Sequence, residues 1–163
     1  MDHSSVEYTP IGTIHTDFET AEGMPIQPSV ADNAPGAVEF DAVYEPALSD
    51  LDGFSHCILL YQFHDSDDDY STTVKPFLDE NERGLFATRA PKRPNNIGLS
   101  IVAIDSIDGT ELTVSGIDVV DGTPLLDVKP FVPEFDVPDD TESGWIAKSE
   151  DGTGRTRADS RFR

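Results

Sequence analysis

GLSIVAIDSIDGTELTVSGIDVV, residues 98–120, holds two apolar runs joined at Asp108-Gly109. Asp-Gly is a pair that tight hairpin turns favour, because glycine takes positive φ without a Cβ clash. GLSIVAIDSI (98–107) and ELTVSGIDVV (111–120) therefore read as antiparallel partners. Downstream, PLLDVKP (124–130) reads as the next strand, and upstream GLFAT (84–88) reads as a short one. SHCILLYQF (55–63) is apolar on both faces, as a central buried strand is. AVEFDAVY (37–44) alternates apolar and polar with a period of two, and VEYTPIGTI (6–14) reads as the first strand. Only EPALSDLDG (45–53), opened by Pro46 and stopped by Gly53, suggests a short helix. Residues 18–36 and HDSDDDYSTT (64–73) read as loops. Many short strands with little helix predict a mainly all-β barrel or sandwich. One domain is expected over residues 1–137. A polar C-terminal arm, extended or partly disordered, is expected over 138–163.

Charge is the dominant compositional signal. Thirty-two Asp and Glu face eleven Lys and Arg, a formal net charge of −21 over 163 residues. The recurring apolar strands argue against disorder, so the excess acid reads as a hydrated surface of the halophilic kind. At about 1 M salt the Debye length falls to roughly 3 Å and screens the self-repulsion. No basic residue precedes Lys75, yet Arg83, Arg89, Lys92 and Arg93 fall together, and Arg155, Arg157, Arg161 and Arg163 crowd the end. On an acidic background the Arg83–Arg93 cluster reads as a local anion-binding patch, while the terminal cluster reads equally as a second patch or as a solubilising tail. No run of 18 apolar residues and no signal-like N-terminus is present, so a cytoplasmic protein without membrane contact is expected. Cys57 cannot form an intramolecular disulfide, and its apolar setting predicts a buried, inert thiol.

Several chemistries lack their motif. No P-loop, HExxH or CxxC occurs, and no metal site is expected, because the four histidines lack ligand spacing. The nearest glycine-rich string, GTGR (152–155), has neither strand before it nor helix after it. Any nucleotide cofactor therefore binds outside a Rossmann crevice. Two segments are chemically dense. GLFATRAPKRPNNIGLS (84–100) carries three cations, two prolines and two asparagines, a stiff loop rich in donors. IDVVDGTPLLDVKPFVPEFD (117–136) places Asp118, Asp121, Asp127 and Lys129 about one turn. Carboxylates so placed attract a cationic ligand or accept a proton.

These strings resemble the TsaA-like, or TrmO, family of methyltransferases. GLFATRAPKRPNNIGLS is similar to that family's G-V-F-A-T-R-S-P-x-R-P-N-P-I-G, and DVVDGTPLLDVKPFVPEFD to its D-x-x-D-G-T-P-x-x-D-I-K-P-Y-x-P. IGTIHTDF (11–18), MPIQPS (24–29), LDGFSHCILLYQFH (51–64) and RTRADSRF (155–162) also match, and the whole is similar to the short form without a C-terminal domain.

The resemblance implies a compact, antiparallel, non-Rossmann β-barrel that works as a homodimer. It also implies S-adenosylmethionine (SAM) bound near the subunit interface, and methylation of N6 of threonylcarbamoyl-adenosine beside the tRNA anticodon. SAM contacts carry over to Ile26, Gln27, Pro28, His64, Asp65, Arg89, Leu99, Pro124, Leu125, Leu126 and Asp127. Arg89, Asp121, Asp127 and Lys129 are the expected catalytic set, with Asp127 facing the sulfonium. Lys92 and Arg93 are expected to bind RNA, Arg93 bidentately. The proton acceptor stays open among Asp118, Asp121, a backbone carbonyl and water. Phe86 and Phe131 are possible stacking faces, although core packing is the expected role of Phe86. Ile26 stands where bacterial members have Arg. Asn96 stands where they have Pro, a change expected to loosen one loop corner. Competing readings are methylation of another RNA or a small molecule, a SAM-binding barrel without turnover, and a purely structural acidic module.

Overall fold

Antiparallel pairing closes six strands of the computed structural model into a barrel in the order β1-β2-β7-β6-β3-β8. The structure describes residues 4–20, 33–66, 69–77 and 79–148. The barrel strands are β1 (Gly12–Thr16), β2 (Pro35–Phe40), β3 (His56–Gln62), β6 (Ile97–Asp108), β7 (Glu111–Ser115) and β8 (Thr123–Pro130). A separate ribbon pairs β4 (Thr73–Val74) with β5 (Arg83–Gly84). Asp108-Gly109 does form the β6–β7 turn, with Gly109 at φ 59° and Asp108 opposite Glu111. Ile14, Val38, Leu59, Leu112, Val114 and Leu125 fill the interior with no solvent exposure. Each comes from the inward parity of its strand. Cys57 lies among them, and burial pushes its thiol pKa up to about 12, so it stays protonated and inert.

Four elements differ from the sequence reading, each for a local reason. The first strand pairs only from Gly12, since Pro10 has no N–H to give, and Val6 and Tyr8 lie exposed before it. The expected helix over 45–53 is two 3₁₀ turns, Ala42–Leu48 and Leu51–Gly53. Asp50 breaks them apart at φ 69°. GLFAT contributes only Gly84 to a strand; Leu85–Ala87 is a 3₁₀ turn. The strand expected over 111–120 stops at Ser115, where Gly116 takes φ 85°. Beyond β8 lies a four-residue helix, α1 (Pro133–Asp136). Part of the predicted arm is folded: Gly144–Lys148 is a 3₁₀ turn, and Trp145 Nε1 donates to Ala87 O at 2.8 Å. The basic cluster at 155–163 lies outside the described residues.

The pairing directions gather the long connections at one end. β1 and β3 and β7 finish there, and β2, β6 and β8 begin there. The connections after Thr16, Gln62 and Ser115 therefore leave the barrel at one rim and return to it at Pro35, Ile97 and Thr123. The opposite end carries the β6–β7 hairpin, the two 3₁₀ turns and α1.

Candidate functional site

Both dense segments meet that rim. The cationic loop is braced internally: Arg93 Nη1 donates to Thr88 O at 2.9 Å and to Ala90 O at 3.2 Å. Asn96 fastens the corner it was expected to loosen. Its Oδ1 accepts the Arg93 N–H at 3.2 Å, and its backbone O accepts the Phe63 N–H at 2.8 Å. A side-chain carbonyl thus supplies by hydrogen bonding the restraint that a proline supplies covalently. Arg83 pairs with Asp79 and lies 5.8 Å from the Trp145 ring centroid, so the C-terminal turn also clamps the loop. Phe86 is the second departure. It is 80% exposed rather than in the core, with the Arg93 guanidinium 5.7 Å from its ring centroid. Phe131 sits at the far end, edge-on to His56, away from the loop.

Strand parity decides the other half. On β8, Leu125 points inward, so unbroken alternation would also bury Asp127. A bulge opposite Leu60 and Tyr61 inserts one residue, pairing Leu60 with Asp127 and Tyr61 with Leu125. The extra residue reverses the parity, and Asp127 faces out. There it meets Lys129 Nζ at 2.8 Å, and the bond with Asp127 holds the lysine ammonium above its usual pKa. Leu60 also pairs with Leu99 on its other side. Leu99 and Asp127 therefore flank one outer residue of β3, about 10 Å apart across two strand spacings. Ile97, Leu99 and Ile101 leave this outer face exposed and apolar. His64 and Asp65 follow the end of β3, their side chains 3.5 Å apart. Pro124 is paired to Thr13, Leu126 lies at the bulge, and Leu125 is wholly in the core, so any contact from Leu125 runs through its backbone. Ile26, Gln27 and Pro28 lie outside the described residues.

Asp121 ties the rim to β1: its Oδ1 accepts the Thr16 N–H at 3.0 Å and lies 3.4 Å from His15 Nδ1. The carboxylate drawn toward the barrel interior is instead Asp118. Burial raises its pKa to about 6, against a hydrogen bond from Ser100 and the positive charge of Arg89. Ser100 Oγ donates to Asp118 Oδ1 at 2.7 Å and lies 2.8 Å from Tyr61 Oη. Burial, then the charge of Asp118, raises the Tyr61 pKa, so its hydroxyl is neutral. This leaves Tyr61 donating to Ser100, and Ser100 donating to Asp118. Sequence reading named Asp118 but missed the chain behind it. The available signal was parity, since Tyr61 and Ser100 occupy inward positions of apolar strands.

Residues 13–137 match the family model for the tRNA-methyltransferase O N-terminal domain. The chain belongs to the TrmO family. Across 95% of its length it is 43% identical to a Pyrococcus abyssi protein, "Probable S-adenosyl-L-methionine-binding protein", covering 84% of that protein. It is 36% identical to the Escherichia coli tRNA (adenine(37)-N6)-methyltransferase over 80% of the chain and 59% of that enzyme. A crystal structure of TrmO from Pseudomonas aeruginosa superimposes with a TM-score of 0.73 at 36% identity. That match covers 87% of this chain and 63% of the other. The chain thus spans under two thirds of the TrmO enzymes from both bacteria.

Proposed function

We propose that this TrmO-family chain is a SAM-dependent tRNA methyltransferase. Its acceptor is N6 of threonylcarbamoyl-adenosine beside the anticodon, and its working form is a cytoplasmic homodimer. The observation that carries this reading is the outward turn of Asp127 beside Leu60 and Leu99, next to the rim that bears Arg89. An exposed carboxylate suits a sulfonium, and the leucines suit the adenine ring. These residues fit SAM by donor chemistry, and Arg89 is the side chain suited to a carboxylate. When bound, SAM supplies the electrophilic methyl group.

The chain's own task is alignment. The exocyclic nitrogen is a poor nucleophile because its lone pair is delocalised, and in-line positioning can supply on the order of 7–11 kcal/mol. Lys129, held protonated by Asp127, serves as a cation rather than as a base. The exposed Phe86 ring offers an unpaired base a stacking face, with Lys92 and Arg93 for its phosphates. Stacking and bidentate contacts lose less in strong salt than counterion release does, which suits a protein of charge −21. The apolar outer strip of Ile97, Leu99 and Ile101 suits burial against a second copy, bringing the dimer contact beside the cofactor.

The test incubates the protein with SAM, in high salt, with tRNA carrying or lacking the threonylcarbamoyl group. Mass spectrometry should find the methyl gain only on the modified adenosine, and light scattering should report a dimer. Equal gain on unmodified tRNA removes the acceptor assignment, and no gain on any tRNA removes the activity.

A further inference from the structure

Phe86 presents a large apolar ring to solvent, at 80% exposure, while both of its neighbours are held fast. Leu85 is buried and donates its N–H to Thr72 O at 2.9 Å. Its carbonyl accepts from Thr88 N at 3.1 Å and from Thr88 Oγ1 at 2.8 Å. On the other side, the Ala87 carbonyl accepts from Trp145 Nε1 at 2.8 Å, across 58 positions of sequence. The 3₁₀ turn Leu85–Ala87 is thus tied down on either side of Phe86, and its middle side chain is the one that projects. Arg93, itself fixed by the carbonyls of Thr88 and Ala90, lies over the ring at 5.7 Å from its centroid.

The tie at Ala87 comes from far along the chain. β8 ends at Pro130, at the end of the barrel away from this loop, and α1 follows it there. The chain then runs back until Trp145 reaches Ala87. Ordering such a polar segment costs conformational entropy, and what it reaches at its end is a turn that exposes an aromatic ring. Trp145 is half-buried and makes a second contact there, with the Arg83 guanidinium 5.8 Å from its ring centroid. Arg83 is held in turn by Asp79, its Nε donating to Oδ2 at 2.7 Å. The indole is therefore gripped both at its N–H and over its ring.

A stacking platform binds best when it is already in place, because a ring that must be ordered on binding gives back part of the stacking free energy. We infer that Trp145 is a positioning residue for RNA: by holding the Ala87 carbonyl, it fixes the Phe86 ring as a platform for an unpaired base. Trp145 itself touches no RNA and acts through Phe86. The proposal rests on the functional reading above and deepens it, since it gives the C-terminal segment a part in the RNA-binding surface.

The test reads RNA binding rather than catalysis. Its probe is a single-stranded oligoribonucleotide with 2-aminopurine in place of adenine, whose fluorescence falls on stacking. The unaltered protein, Trp145→Phe, Phe86→Ala and the double variant form a double-mutant cycle, with thermal melts to show that each is folded. Phe86→Ala should weaken binding roughly ten- to a hundredfold, the size of one stacked base. Trp145→Phe keeps a ring for Arg83 and removes the indole donor, and should weaken binding roughly three- to tenfold. In the Phe86→Ala background the same change should weaken binding no further. An equal loss in both backgrounds shows a role that bypasses Phe86 and overturns the proposal, as does unchanged binding in Trp145→Phe. An unaltered protein that leaves the probe unquenched overturns it too.

Trp145 is the chain's sole tryptophan, so its indole N–H gives a single ¹H–¹⁵N signal. That signal should exchange slowly with solvent. Exchange at the rate of a free indole removes the contact with Ala87, and the proposal with it, even if Trp145→Phe fails to fold. A protein that shows the coupled cycle but methylates no tRNA sinks the functional reading and leaves the Trp145–Phe86 link standing. Methyl transfer with an uncoupled cycle sinks the link alone.

Discussion

Asp118 and Asp127 lie nine positions apart in one acidic segment, and the fold gives them opposite surroundings. Asp118 is drawn toward the barrel interior by Ser100, and burial raises its pKa to about 6. Asp127 is turned outward by a bulge and met by Lys129 in solvent. Identical side chains thus become a carboxyl whose pKa burial raises to about 6 and a surface carboxylate paired with Lys129. Strand parity, not residue type, makes the difference: Tyr61 and Ser100 on the inner faces serve one aspartate, and Leu60 and Leu99 on the outer faces flank the other. Arg89 lies in the connection between β3 and β6 that meets the rim.

The largest effect is expected from the rim cation rather than from either aspartate. Arg89→Ala should leave the barrel folded and cost methyl transfer a hundred- to a thousandfold, about 3–4 kcal/mol, the usual loss for one well-placed donor. Radiolabelled methyl incorporation measures it, and full activity would take Arg89 out of the site. Next in size is Gly98→Ala. Its methyl group must displace the Tyr61 ring, an overpacking of about 1–3 kcal/mol visible in urea melts. The inner chain should suffer while the outer pair of Asp127 and Lys129 is untouched. Unchanged stability would show that Tyr61 can tilt freely and does not hold Ser100.

Asp118→Asn sharpens the contrast through pH. The folded pKa lies above the ordinary carboxyl value of 3.8, so between about 4 and 6 the folded chain keeps a proton that the unfolded chain has lost. Stability therefore falls as pH rises through that window, and stays level above it. A two-unit rise corresponds to about 3 kcal/mol, and partial solvent contact reduces the expected effect to about 1–2 kcal/mol. The asparagine variant should be the more stable protein at pH 7, and the gap should vanish below about pH 4. Parallel stability curves would mean that Asp118 is not strained by burial.

How much of this was legible beforehand follows from the range of each signal. The Asp108-Gly109 turn and the apolar runs around it are local, and they placed β6 nearly to its ends and the start of β7, but not its stop at Ser115. The membership of the rim was legible from residue types, since cations are scarce enough here for Arg83–Arg93 to stand out. The facing of Asp127 was not, because a bulge depends on the partner strand and has no mark of its own in LLDVK. The Tyr61–Ser100–Asp118 chain was hidden for a similar reason. It joins β3, β6 and the turn before β8, 39 and 18 positions apart, and only barrel closure brings them together. Asn96 misled in the other direction. As a residue type it looked less rigid than proline, but its side chain binds the loop it sits in.

Lys129 offers the finest test of the outer face, because its structural and functional roles separate there. Its ammonium touches Asp127 in open solvent, where ion pairs contribute little to folding, so Lys129→Ala should melt with the unaltered protein. Its effect should fall on catalysis. Without the ammonium, Asp127 loses the partner that fixes its direction, so a sulfonium would still be attracted and less well aimed. SAM affinity should then change little while kcat drops, and Lys129→Arg should restore part of the rate by returning a cation to Asp127. If affinity falls and kcat holds, Lys129 belongs to ligand binding rather than to the aim of Asp127. If neither changes, the outer pair is surface decoration, and the contrast between the two aspartates loses its functional half.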